Sequence, residues 1–137
     1  MKRGEARAPE QTEQAKDFSG LRVGAKITPT DIDCSMDVGL RYFVFIDPKY
    51  DGAELSTGQR LHYEGLCDRI ERGGGVALAL ITDHWFKAPA VIDVAKTIVR
   101  LHYVGGRPKW ESHHAGKTCV EVRDLWLDWA MGPGWRE

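Results

Sequence analysis

The segment TDIDCSMDVGLRYFVFIDPK holds the residue types that hydrolysis at a phosphate needs, with Asp31, Asp33 and Asp47 as hard oxygen ligands and Lys49 as a compact cation. Ile32, Cys34, Met36 and Val38 alternate with Asp31, Asp33, Ser35 and Asp37, the pattern of a half-buried strand. After Gly39, the run RYFVFID reads as a central strand buried on both faces. Antiparallel pairing about a tight turn near Leu40 puts Asp33 opposite Asp47 and Asp31 opposite Lys49, with Asp47 and Lys49 on one face. A slipped register exchanges Asp33 for Asp31 and still brings an aspartate to Asp47. Like charges facing each other on a sheet repel, so such a pair calls for a cation between them. Mg²⁺ suits the place, because it takes one or two carboxylates and completes its shell with water and phosphate oxygen.

The elements that must position these residues follow from periodicity and punctuation. Residues 1–9 read as a flexible terminus and 10–137 as a single domain. Glu10 to Phe18 suits a short helix, and Leu21 to Ile27 alternates as a strand. Ser56 to about Arg72 is predicted helical, with Tyr63, Leu66, Cys67 and Ile70 on one stripe and Ser56 and Gln59 at capping-box spacing. Gly73-Gly74-Gly75 stops that helix before a buried strand at Val76 to Ile81. Thr82 to Pro89 reads as a loop, and Thr97 to Val104 as a further strand. Val122, Leu125, Trp126 and Trp129 fall at helical spacing up to Gly132-Pro133-Gly134. The order is that of an α/β sandwich.

Asp33, followed by Asp47-Pro48-Lys49 at the end of the next strand, resembles the PD-(D/E)xK nuclease signature. Gln59 and Tyr63 resemble the QxxxY motif on the following helix of the RecB-type and lambda-exonuclease-type members of that superfamily. The resemblance spans Glu13 to Ile81 and implies a restriction-endonuclease-like αβββαβ sandwich, here extended by a C-terminal strand and helix. It further implies Asp33 and Asp47 as ligands of Mg²⁺ or Mn²⁺, with Glu13 from the first helix as a third. Lys49 would be the catalytic lysine, and Gln59 and Tyr63 would help to orient the substrate strand. Two departures stand out: Pro48 lacks an N–H and belongs at a strand end or bulge, and the second acid is Asp where many relatives carry Glu.

Other readings stand beside these. Gln59 reads equally as the closing residue of its capping box, and Tyr63 equally as core. Arg60, Arg69, Arg72, Lys87, Arg100, Arg107 and Lys109 suit either a phosphate groove or an ordinary solvated surface. His84, Trp85 and Phe86 suit a turn over the core or a platform for unpaired bases, and Arg60, Lys87 and Trp85 are the candidate DNA contacts. His113-His114 with Cys119 would make half a zinc site, but without a CxxC or HxxxH pair an exposed loop is the better reading.

Composition narrows the class. The 137 residues are 42% hydrophobic and 28% charged, the make-up of one globular domain. A net charge of -1 excludes attachment to nucleic acid by bulk charge, though not through a local groove. The longest apolar run is too short to span a bilayer, and Cys34, Cys67 and Cys119 form no disulfide framework, which fits a cytoplasmic protein. The expected function is a bacterial or phage metal-dependent deoxyribonuclease that forms a homo-oligomer. The rival is a non-catalytic DNA- or protein-binding module of the same fold, or an inhibitor with exposed tryptophans such as Trp85 and Trp135.

Overall fold

A tight turn at Gly39 and Leu40, both with positive φ (67° and 61°), reverses the chain between two strands of the computed structural model. The structure describes residues 34–136. Strand β1 (Cys34–Val38) precedes the turn and β2 (Tyr42–Tyr50) follows it. They pair antiparallel, with Cys34 opposite Ile46, Met36 opposite Val44 and Val38 opposite Tyr42, the register expected from the alternation. Cys34, Met36 and Val38 pack on the core while Ser35 and Asp37 are exposed. A slip by one residue would send that apolar set to solvent, so the pattern itself locks the register.

Helix α1 (Thr57–Arg72) starts at the expected capping box, with Ser56 as its N-cap, and ends at Gly73. Strand β3 (Val76–His84) then returns parallel to β2. It is longer than expected. Thr82, Asp83 and His84 continue the strand because they pair with Pro48, Lys49 and Tyr50. Pro48 accordingly lies inside β2 rather than at its end, beyond Ile46, where the described pairing with β1 stops. A short 3-10 turn (Val94–Lys96) leads into β4 (Ile98–Val104), antiparallel to β3. Helix α2 (Cys119–Met131) and a 3-10 turn (Pro133–Arg136) follow.

The sheet order is β1-β2-β3-β4, with a helix on each face. Strand β3 dictates how the layers fit. Its small side chains, Ala77 and Ala79, face α1 and leave room for Tyr63 and Cys67. Leu78 and Leu80 point the other way, against Val122, Trp126 and Leu127 of α2. The described part of the chain is thus α/β with a four-stranded mixed sheet. The predicted helix over 10–18 and strand over 21–27 lie outside the described residues. Among the described residues, no helix is long and apolar enough to cross a membrane.

Leu40 is exposed and carries a left-handed backbone conformation that disfavours side chains with a Cβ, Asn least. Leu40→Asn is expected to stabilise the protein by about 1 kcal/mol in chemical denaturation. Equal or lower stability would mean that the Leu40 side chain holds the hairpin in some other way.

Candidate active site

Side chains alternate along β2, so Phe45, Asp47 and Lys49 share the face that looks toward α1. Asp47 closes the run Phe43-Val44-Phe45-Ile46 and is only 3% exposed. A carboxylate at such depth is costly unless it is paired. Lys49, two residues on and on the same face, supplies the charge: its Nζ lies 3.1 Å from Asp47 Oδ2. The same Nζ donates a hydrogen bond of 2.9 Å to Gln59 Oε1.

Gln59 reaches Lys49 because the helix cap holds it there. The Gln59 N–H donates to Ser56 Oγ at 3.1 Å, and the Ser56 N–H donates to Gln59 Oε1 at 3.3 Å. One amide oxygen therefore serves both the cap and the lysine, and the two readings of Gln59 are one arrangement. Signals far apart in kind, a strand-end D-x-K and a helix-start glutamine, converge on a single ammonium group.

A second charged pair stands beside the first. Asp83 of β3 is the register partner of Lys49. Its carboxylate takes a forked contact from Arg100 of β4, with Nε 3.0 Å from Oδ2 and Nη2 on Oδ1. Arg100 Nη2 also donates to the Ala53 carbonyl at 2.8 Å, tying down the loop between β2 and α1. Hydrogen bonding to Asp83 holds the guanidinium above its ordinary pKa, with the charges of Asp47 and Glu54 contributing. Arg100, read from sequence as surface or groove, is an internal counter-ion. Asp83 was missed because Thr82-Asp83-His84 reads as loop, although VALALITD, like FVFID, is an apolar run that ends in aspartate.

The other expected site residues fall as follows. Asp31, Asp33 and Glu13 lie outside the described residues. Asp47 and Asp83, the carboxylates on neighbouring strands of this site, each have a cation from the chain itself. Tyr63, one turn beyond Gln59, is buried among Cys67, Ala77 and Ala79. Arg60 pairs with Glu64 at 2.8 Å on the outer side of α1, and Glu64 also accepts from the Trp110 indole at 2.8 Å. Trp85 and Phe86 are exposed just past β3, beside a cavity of about 370 Å³ that Asp83 also lines. Lys87 lines a neighbouring cavity with Tyr50 and His84. Trp135 is not an exposed tryptophan: it is half-buried, and its indole donates to Asp128 at 2.7 Å.

No protein-family model matches the chain, and neither a curated protein nor a solved structure does.

The buried pair makes a measurable demand. Lys49→Met leaves Asp47 without its partner and is expected to cost about 3 kcal/mol, whereas adding Asp47→Asn recovers part of that loss. A double-mutant cycle by chemical denaturation reads the coupling, and simply additive costs would contradict the pairing.

Proposed function

We propose that this chain is a metal-dependent nuclease that hydrolyses DNA phosphodiester bonds, with Asp47, Lys49 and Gln59 at its centre. The observation that carries the reading is the convergence on Lys49: its ammonium touches both the buried Asp47 carboxylate of β2 and the helix-start amide. The order ββαβ, with β2 and β3 parallel around α1, is compatible with a restriction-endonuclease-like core.

The donor set suits Mg²⁺ or Mn²⁺. Asp47 offers a hard oxygen ligand, and these ions complete their shells with water and phosphate oxygen rather than with a full protein cage. Asp33 and Glu13 are the further ligands that the family resemblance implies. When bound, the ion would act as a Lewis acid on the phosphate and lower the pKa of the attacking water.

The chain's own groups have separable tasks. Lys49 places a positive charge beside the carboxylate that would hold the ion, where charge would build on phosphate oxygens in the transition state. Gln59 fixes the direction of the lysine, so its ammonium need not reorganise during reaction. Arg100 neutralises Asp83 and keeps a second carboxylate from repelling the DNA backbone. Trp85 and Phe86 offer exposed faces for base stacking, and Lys87 a charge for phosphate.

Removal of Lys49 also unpairs a buried carboxylate, so the activity test uses Lys49→Gln and Lys49→Arg at a temperature where circular dichroism shows both folded. Wild type is expected to degrade linear, single-stranded or branched DNA only with Mg²⁺ or Mn²⁺. Lys49→Gln is expected to lose roughly a hundredfold or more in rate while still binding DNA. Lys49→Arg recovers little, because a planar guanidinium does not replace a compact ammonium. If wild type cuts nothing across that panel, the nuclease reading fails and a binding module of the same architecture takes its place.

A further inference from the structure

On the other face of the sheet, three histidines meet. Leu101 and Tyr103 of β4 pack toward α1, so His102 between them points toward α2 and shares a cavity of about 410 Å³ with Leu78, Trp126 and Trp129. The connection from β4 to α2 runs back along this strand. It is held by paired backbone hydrogen bonds of 2.9 Å between His102 and Glu111, and by the Val99 N–H donating to the Lys117 carbonyl at 2.8 Å. That path lays His113 and His114 over His102, with ring centroids 4.6 and 5.0 Å from it and 4.2 Å from each other.

We propose that His102, His113 and His114 form a binding site for a borderline divalent metal ion such as Zn²⁺, separate from the Asp47 centre. One ligand nitrogen from each residue lies within 4.8 Å of the others. A tetrahedral zinc site holds its nitrogens about 3.3 Å apart, given Zn–N bonds near 2.0 Å. Small rotations of the exposed His113 and half-buried His114 close that difference. Three imidazoles select Zn²⁺, Co²⁺ or Ni²⁺ over Mg²⁺, which prefers oxygen.

Independent features of the surroundings point to a ligand. His102 is only 5% exposed, yet its Nδ1 has no hydrogen-bond partner among the described residues. A buried polar atom without a partner is costly, and a metal ion would satisfy it. Glu111 lies 3.1 Å from His113 Nδ1, the outer partner that fixes a ligating imidazole with its Nε2 lone pair free. Three protein ligands leave a fourth position for water.

One contact opposes the ion. Lys117 Nζ sits 3.1 Å from His114 Nδ1. An ammonium donating to Nδ1 occupies that nitrogen and leaves the proton on Nε2, so the lysine competes with a metal for either atom.

The test uses the full-length chain without a histidine tag. Titration with Co²⁺, followed by its visible ligand-field spectrum, and with Zn²⁺ in a calorimeter is expected to show one equivalent bound by wild type. The double variant His113→Ala/His114→Ala, altered only in the surface loop, should lose at least about a hundredfold in affinity. Asp47→Asn should bind Zn²⁺ as wild type does, which separates this site from the nuclease centre. Lys117→Met should bind several-fold more tightly, and no gain would remove His114 from the ligand set. No stoichiometric binding by wild type, or undiminished binding by the double variant, overturns the site.

Discussion

The burial of one carboxylate governs how the described residues come together. Asp47 stands inside β2, directly after its apolar run Phe43-Val44-Phe45-Ile46 and 3% exposed, where a charge persists only with a partner in fixed geometry. Lys49 meets that requirement from the same face of β2, and Gln59 fixes Lys49 from the first turn of α1. The cap that starts the helix and the contact that orients the lysine share one amide oxygen. A shift of the helix start would therefore disturb cap and ion pair together.

The rest of the fold sets that helix where it is needed. Alanines on β3 let Tyr63 and Cys67 of α1 approach the sheet, and Asp68 takes hydrogen bonds from Tyr103 at 2.7 Å and from the Gly106 N–H at 2.9 Å at the far end of β4. Arg100 then joins β4, β3 and the loop before α1 through Asp83 and the Ala53 carbonyl. The Arg100 contacts, with those of Asp47, Lys49 and Gln59, cluster polar groups on the α1 face near the ends of β2 and β3. Among the described residues, the α2 face carries the apolar cluster around Leu78, Leu80 and Trp126 together with the histidine cluster, so the two faces present different donor chemistry: carboxylate and ammonium on one, imidazole on the other.

Local signals carried most of what was legible in the sequence. The β1–β2 register follows from the alternation of Cys34, Met36 and Val38 and from the turn at Gly39, all within one hairpin. The start of α1 follows from Ser56 and Gln59, three residues apart. What stayed hidden depends on partners distant in the chain. Thr82 to His84 look like loop until Pro48 to Tyr50 pair with them, and that pairing also brings Asp83 beside Lys49. His102 looks like one more alternating position in IVRLHYV, and only the course of the later loop brings His113 and His114 to it. Cys119, set aside at the sequence level as a partner of His113 and His114, is buried at the start of α2. Of the proposed carboxylate ligands, Asp47 falls among the described residues, while Asp33 and Glu13 lie outside them.

The most direct measurement of the central claim is the anomalous difference density of a crystal soaked in Mn²⁺. The account predicts an ion bound to the Asp47 carboxylate, with Lys49 still held by Gln59 beside it. An Asp47 that keeps Lys49 as its only partner, with manganese bound elsewhere or not at all, would contradict it.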